Sequence, residues 1–478
     1  MRRYALLLIL ALAFLVRLYN VDSTTIGTHQ WRQSQTAMIA ENFHDNGYRF
    51  LYPQIDWVGD TDGYAETDFP IYSYSVALVY GVFGVSNWAG RLLSALFSVA
   101  SIWFIYLIAR KKLDGRTALW SAFFLSVLPL FAFYGRAVMP EALMLMASAA
   151  GIWFFSEWVD RDSAWSYFAS AFFISLACLL KPTSLYLGLP LLYLAWERHG
   201  RALLGQWRLW AYSVIVVASV LAWYLHAHTI YEETGNSIGL YDKFMNGQLL
   251  VSWKFWNRII IQRLLEKHFA WTGFVIFAIG LFIKRRSSGE RLFDFWVASV
   301  VIYILIAAGG NNAHEYYQLP LILPAAVFMG KVYGRHYGTD IFGSKSKVWL
   351  TVGLAAFIVF AGIRYSKYMR DERPENSPSY QAAQKTIEKT PAGALIVAVA
   401  DGDPTILYLT GRKGWVAGTN DVEDGFISDR AGKGAKYLVG VKWRFNDDAE
   451  KKKLEWLLTS GRYNIVYQDE MCFIADIS

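Results

Sequence analysis

The sequence predicts a polytopic α-helical membrane protein of about eleven transmembrane helices with a C-terminal extracytoplasmic α/β domain. Three observations carry that expectation. Of 478 residues, 55% are hydrophobic, 17% are aromatic and only 18% are charged, against about a quarter charged in an ordinary globular chain. The 20 Trp, 29 Tyr and 31 Phe are too many for a solvated surface. The charges are also segregated into short basic clusters between apolar runs, a pattern that ends near residue 370. A soluble enzyme, a disordered chain and a disulfide scaffold are thereby excluded. The formal charge of +7 does not point to nucleic acid, because Lys and Arg sit at the ends of apolar runs, where they meet anionic headgroups. Cys178 lies inside an apolar run and Cys472 near the C-terminus, so no bridge between them is expected.

A span takes about 20 mainly apolar residues. Runs that qualify are 4–20, 90–109, 117–135, 140–158, 209–226, 269–284, 293–308, 318–334 and 347–364. The stretch 164–196 is broken by Lys181-Pro182-Thr183 and divides into 164–180 and 183–197. The first run follows Met1-Arg2-Arg3, lacks a small-residue cleavage site and contains Arg17, so it reads as a retained helix rather than a signal peptide. The run 71–84 is shorter than a span and reads as an outer interfacial segment.

Basic asymmetry orients the chain. Arg2/Arg3, Arg110/Lys111/Lys112/Arg116, Arg161, Arg198/Arg201/Arg208, Lys284/Arg285/Arg286/Arg291 and Lys331/Arg335/Lys345/Lys347 mark the cytoplasmic side. The N-terminus is then cytoplasmic, and 21–89, 227–268 and 309–317 are outer loops of a protein of the inner or plasma membrane. Residues 1–369 form the transmembrane domain with its large first outer loop, 21–89, and 370–478 a periplasmic or extracellular domain. In that domain 394–400, 436–442, 463–467 and 472–477 read as strands, and 403–410 and 447–460 as helices.

Polar groups gather on the predicted outer side. Within 28–43, Trp31, Ile39 and Phe43 fall one or two turns apart, as in a helix lying on a membrane. His29, Arg32 and Gln33 sit at its N-terminal end, where helix geometry favours anions; ordinary snorkelling side chains are the bland alternative. Asp56, Asp60, Asp62, Glu66 and Asp68 follow, with Trp57 and Tyr64 among them. They read as a solvated acidic loop, a source of a general base, or a divalent-cation site; their spacing is not that of a calcium loop, and no metal or cofactor is expected. Three further outer turns carry Arg136 with Glu141, then Lys181, then Asn311-Asn312-Ala313-His314-Glu315-Tyr316-Tyr317. Charge at membrane depth is costly and points to function. Together they describe a pocket for an anionic headgroup with carboxylates placed to activate a second group. The catalytic candidates are Glu66, Asp56 and Glu141. The substrate-binding candidates are His29, Arg32, Arg136, Lys181, His314, Tyr316 and Tyr317.

The order of these features is informative. It runs from a first apolar helix to His29-x-Trp31-Arg32-Gln33, then Glu66…Phe69-Pro70-Ile71-Tyr72 and Val85-Ser86-Asn87…Arg91-Leu92-Leu93-Ser94, and on to Arg136…Met139-Pro140-Glu141 and Leu179-Leu180-Lys181-Pro182. It resembles the polyprenyl-phosphate-sugar-dependent glycosyltransferases of the GT-C fold, specifically the protein O-mannosyltransferase and lipid A aminoarabinose transferase group. The likeness covers roughly residues 1–335. The resemblance implies an inverting hexosyl- or pentosyltransferase that works in the lipid bilayer on its outer face. The donor is a polyprenyl-phosphate sugar, the acceptor a hydroxyl of a lipid, glycan or protein, and no metal is needed. By position, Glu141 matches the acidic residue of the second outer turn, Lys181 the basic residue near the donor phosphate, and Glu66 the polar residue before the Pro-x-Tyr segment. One departure stands out. The family commonly carries an Asp-Glu pair where this chain reads Arg32-Gln33-Ser34-Gln35, so Asp56, Glu66 or His29 replaces the usual base, or the chemistry is lost. The competing classes are a non-catalytic membrane scaffold and a lipid or glycan transporter; the sequence has neither the internal repeats nor the broken midplane helices common in transporters.

Overall fold

The computed structural model describes residues 2–239, 247–336 and 344–478. The side chains of Arg2 and Lys345, two members of the expected cytoplasmic clusters, lie outside the described residues. The chain divides into two compact units. One, the membrane unit, comprises Met1–Val21, Arg91–His226 and Gly239–Lys367; the other comprises Asp22–Gly90, Ala227–Ile238 and Tyr368–Ser478.

The protein is polytopic and α-helical, but the expected eleven transmembrane helices are not found. Among the described residues four helices are long and apolar enough to cross a membrane: Asn87–Lys112, Glu141–Arg161, Trp207–Thr234 and Lys347–Asp371. Trp253–His268 with Thr272–Phe282, bent by 105°, makes a fifth if counted as one span. The reason is local backbone chemistry that hydropathy averages away. The run 117–135 breaks at Pro129 into Gly115–Val127 and Pro129–Tyr134, with Leu128 at ψ 122°, the extended setting a following proline imposes. The run 183–197 becomes a 3₁₀ turn, Pro182–Leu187, and a helix, Gly188–His199. The run 318–334 begins in a 3₁₀ segment holding Pro320, Glu315–Leu321, before Ile322–His336 starts.

Burial sorts the long helices. In their most apolar stretches, 72% of Glu141–Arg161 is buried but only 17% of Trp207–Thr234 and 11% of Lys347–Asp371. Leu and Val left exposed on the latter two are what a lipid-facing helix requires. Arg17, inside the first apolar run, is fully buried and largely paired. Its Nε donates to Ser98 Oγ at 2.7 Å and its Nη1 to the Ala13 and Ser126 carbonyls, while its guanidinium lies over the Phe131 ring at 5.0 Å. Gly330 and Gly334, one turn apart on Ile322–His336, face Thr117 and Ser121, one turn apart on Gly115–Val127. A Cβ at Gly330 would fall 2.7 Å from the Ser121 nitrogen, and one at Gly334 2.6 Å from the Thr117 Cα. This is the small-residue packing that lets membrane helices approach closely.

The second unit is built on a five-stranded sheet of order β2-β1-β3-β5-β4. In chain order the strands are β1 (Ile396–Val399), β2 (Gly414–Ala417), β3 (Tyr437–Val441), β4 (Asn464–Gln468) and β5 (Cys472–Asp476). The first three run parallel, and β5 is antiparallel to both β3 and β4. Val397, Leu438 and Phe473 pack one face against Ile427 and Leu457. Ile396, Val439 and Ile474 pack the other against Ala382, Ile406 and Met38. The outer edge of β2 is covered by the acidic loop: Gly414 N donates to Asp56 O at 2.9 Å and Gly59 N to Gly414 O at 2.6 Å. A covered edge offers no template for aggregation. Met38 belongs to the helix Gln30–Asp45, whose side chains are buried from Arg32 through Ala40. That helix is enclosed on most faces, not laid on a bilayer as its sequence suggests.

The close helix contact yields a paired test. Gly330→Val should destabilise the full-length protein by about 1–3 kcal/mol through overpacking. Gly362→Val, on Ser344–Asp371 with no atom within 4 Å of its Cβ position, should be nearly neutral. Equal melting temperatures of the two variants in detergent would refute the contact.

Candidate functional site

In the membrane unit, several of the candidate side chains meet at one end of a helical hairpin. Glu141 is the first residue of Glu141–Arg161, and Lys181 follows the last residue of Ala164–Leu180. A helix N-terminus favours a carboxylate and a C-terminus favours a cation, so both helix ends stabilise the pair they carry. Lys181 Nζ lies 2.5 Å from Glu141 Oε1; Glu141 is fully buried and the Lys181 side chain is 12% exposed. The same ammonium stands 4.5 Å from the ring centroid of Tyr316 and 4.9 Å from that of Tyr317, within cation–π range. The His314 ring stacks on Tyr316 at 5.1 Å. Glu141 Oε2 is buried without a hydrogen-bond partner among the described residues.

The segment that carries the two tyrosines is pinned from several sides. Arg263 donates to the carbonyls of Asn311, Asn312 and Ala313. His268 Nε2 lies 3.0 Å from the Glu315 carbonyl, and Tyr303 OH donates to the Tyr317 carbonyl at 3.0 Å. Tyr134 OH and Lys267 Nζ approach Glu315 Oε1 at 3.4 and 3.5 Å. Arg136 is fully buried in this unit and donates to the Asn20 carbonyl at 2.6 Å. Of the residues singled out in the sequence, Glu141, Lys181, His314, Tyr316 and Tyr317 therefore come together, while Arg136 is a separate buried cation of the unit. Glu315 of the same outer turn and Arg263, Lys267 and His268 complete the arrangement; for the last three the signal in the sequence was the charge density of 263–268 beside an apolar run.

In the second unit, Glu66 is 1% exposed. Its Oε2 accepts from Ser237 Oγ at 2.9 Å, and its Oε1 lies 3.5 Å from Nδ1 of the half-exposed His228. Its backbone is clamped as well, with Glu66 N donating to Asn236 O at 2.9 Å and Ile238 N to Glu66 O at 3.2 Å. Arg32 pairs with Asp68. Asp56 accepts from Asn42 Nδ2 at 3.0 Å; burial pushes its carboxyl above the usual range, partly opposed by Asn42 and Lys413. Glu41, which the sequence did not single out, is pushed up to about 7 by burial, with Asp45 and Asp56 adding to the shift and Tyr408 opposing it. His29 caps Gln30–Asp45 in a left-handed conformation, φ 53°, rare for a residue with a side chain. Among the described residues no three His, Cys, Asp or Glu side chains are grouped to hold a metal ion.

The geometry can be set beside known proteins. A family model described as dolichyl-phosphate-mannose-protein mannosyltransferase matches residues 67–225, the stretch holding Arg136, Glu141 and Lys181. The crystal structure of ArnT from Cupriavidus metallidurans in the apo state superposes with a TM-score of 0.69 at 14% identity, covering 99% of this chain and 97% of that one. The same protein bound to undecaprenyl phosphate gives 0.67 at 13% identity, covering 99% and 98%. The chain has the GT-C fold. The Archaeoglobus fulgidus oligosaccharyltransferase, in complex with Zn and sulfate, is similar over 91% of this chain and 68% of its own, with a TM-score of 0.62 and 13% identity. No curated protein matches the chain in sequence. The fold is thus that of the family which the ordered motifs resemble, and the chain is a multi-pass membrane protein with an α/β region at its C-terminus.

The Glu41 shift carries a pH dependence. A carboxyl whose folded-state pKa is raised contributes stability that is complete below about 4.5 and lost as pH rises through about 7. Glu41→Gln, which mimics the protonated acid, should leave melting unchanged near pH 4 and stabilise the protein at pH 8 by about 1–3 kcal/mol. A variant no more stable than wild type at pH 8 would show that Glu41 is not desolvated.

Proposed function

We propose that the protein is a membrane glycosyltransferase that moves a sugar from a polyprenyl-phosphate donor to a hydroxyl of a lipid, glycan or protein acceptor on the outer face of the membrane. The observation that carries the reading is Lys181, an ammonium held at a helical hairpin end by one buried carboxylate and two tyrosine rings, in a chain of GT-C fold. One of its three N–H groups serves Glu141, which leaves donors for a phosphate oxygen. Transfer breaks the bond between the anomeric carbon and the phosphate oxygen and forms one to the acceptor oxygen. Negative charge grows on the departing lipid phosphate, and preorganised cations stabilise it. Lys181 takes that role, with Arg136 as a second cation of the membrane unit and Glu141 as the group that positions Lys181. Tyr316, Tyr317 and His314 form the walls on the donor side.

The acceptor hydroxyl must lose its proton as it attacks. Glu66 is the base: a buried carboxylate fixed by Ser237, beside a His228 that reaches solvent and can pass the proton on. Asp56 is the reserve candidate, its carboxyl already raised toward neutrality by burial. Arg32 and His29 contribute polar contacts to substrate. Single displacement by this route inverts the anomeric centre of a hexose or pentose. The Lys/Arg asymmetry of the loops sets the N-terminus in the cytoplasm and the C-terminal region outside.

Two measurements separate the donor and acceptor sides. Binding of undecaprenyl phosphate to the full-length protein in nanodiscs should fall at least about tenfold in Lys181→Met and much less in Lys181→Arg, because a point charge is what the phosphate needs. Unchanged affinity in Lys181→Met would remove the residue from the donor site. Glu66→Gln keeps shape and loses charge, so label transfer from polyprenyl-phosphate sugars in native membranes should fall by about 10²-fold or more, with lipid-phosphate binding intact. Normal turnover in that variant alongside a dead Asp56→Asn would move the role to Asp56.

A further inference from the structure

The second unit contains a cleft of which the transfer reading uses only one lining residue, His29. It has a volume of about 440 Å³ and is lined by the turn before Gln30–Asp45, the start of Pro378–Lys389 and the turn Lys442–Arg444. That volume is within the ~300–1,000 Å³ range of small-molecule sites. Trp443 stands in it 52% exposed, although one ring face is already covered by the Arg444 guanidinium at 4.4 Å. A large indole held rigidly in water is a contact platform with little entropy left to lose.

The polar wall is equally fixed. Asp403, 5% exposed, accepts from the Thr405 nitrogen at 2.9 Å, from Gln30 Nε2 at 2.7 Å and from Arg444 Nη2 at 3.5 Å. Arg444 also faces Asp401 at 3.7 Å. Two cleft residues or their partners, His29 and Asp401, hold φ at 53°, strain of the kind kept at ligand sites. Charge decides the ligand class. Arg444 is offset by Asp401 and Asp403, and Asp371 adds a further exposed carboxylate to the lining. Ser377 caps Pro378–Lys389, and the Gln30 side-chain amide at the start of Gln30–Asp45 is bonded to Asp403. Carboxylates thus balance the Arg444 charge in the cleft, which does not favour an anion. An aromatic face beside paired amide, carboxylate and guanidinium groups suits a molecule with apolar ring faces and many hydroxyls.

We propose that this cleft binds a neutral saccharide chain, with Trp443 as its stacking platform and Gln30, Asp371 and Arg444 bonding to hydroxyls. The proposal does not depend on the identity of the donor or the base.

The test uses the full-length protein in detergent on an array of neutral and anionic di- to hexasaccharides, followed by calorimetry with the best neutral glycan. At least one neutral glycan should bind. Trp443→Ala should weaken it at least about tenfold, whereas Trp443→Tyr should keep most of the affinity. If Trp443→Ala lowers the melting temperature, Trp443→Leu replaces it, since Leu fills space without an aromatic face and should also lose binding. Lys181→Met and Glu66→Gln should bind the glycan as wild type does, so failure of the transferase reading would leave this result standing. The proposal is overturned if the array retains no neutral saccharide, if anionic glycans are preferred, or if binding is the same in wild type, Trp443→Ala and Trp443→Leu.

Discussion

Everything proposed for the membrane unit depends on one buried ion pair, Glu141 with Lys181. Taking two charges out of water costs several kcal/mol each, and mutual attraction repays that only with good geometry and further partners. Here the partners are built into the hairpin. Glu141 opens one helix and Lys181 closes the next, so each charge sits at the helix end of opposite sign. The tyrosine rings add cation–π attraction to the ammonium. Removing either member would strand the other, at a cost of about 3–5 kcal/mol. The pair is therefore structural as well as the centre of the proposed donor site, and that is why Lys181 needs a substitution that retains charge to separate the two roles. Glu141 Oε2 has no protein partner among the described residues, so the carboxylate keeps capacity to accept a further hydrogen bond at the same place.

The rings that face Lys181 owe their position to bonds made by main-chain atoms. Arg263 gathers three consecutive carbonyls, and Gln318 Nε2 donates to Asn311 Oδ1 at 2.8 Å from within the same turn. Glu315, His268 and Tyr303 complete the hold. Such a turn departs from helix at the expense of its own hydrogen bonds, and in an apolar surrounding every lost bond must be replaced. The cations and amides of 263–318 replace them. The tyrosines are in this way fixed through the backbone of the turn that carries them.

How much of this the sequence revealed follows from the range over which its signals act. Apolar runs and basic ends are local, so the membrane class, the turn residues Glu141 and Lys181, and strands β1, β3, β4 and β5 were all legible. The helix count was not, because a hydropathy window does not register the break at Pro129 or the 3₁₀ segment around Pro320. Strand β2, four residues beginning with Gly414, carries too little pattern to be seen. Glu66 stood out by position alone; its partners Ser237 and His228 come from a separate stretch of chain. Glu41 was invisible for a related reason, since its acidity is set by burial in the fold and not by its neighbours in sequence.

The acidic loop shows how burial assigns roles that composition leaves open. Asp56, Asp60, Asp62, Glu66 and Asp68 are chemically near-equivalent in the chain, and the sequence allows a solvated loop, a base or a cation site for all of them. In the fold they separate. Asp60 and Asp62 are exposed and fit the solvated reading. Asp68 is spent on Arg32, so the cation at the helix start is neutralised by the same loop that follows it. Asp56 gives its carbonyl to the edge of β2 and its carboxyl to Asn42, which ties it to architecture. Only Glu66 is a wholly buried carboxylate with a titratable histidine at its side. The proposed base is drawn from these five, and Glu66 alone among them pairs full burial with a neighbour that reaches solvent.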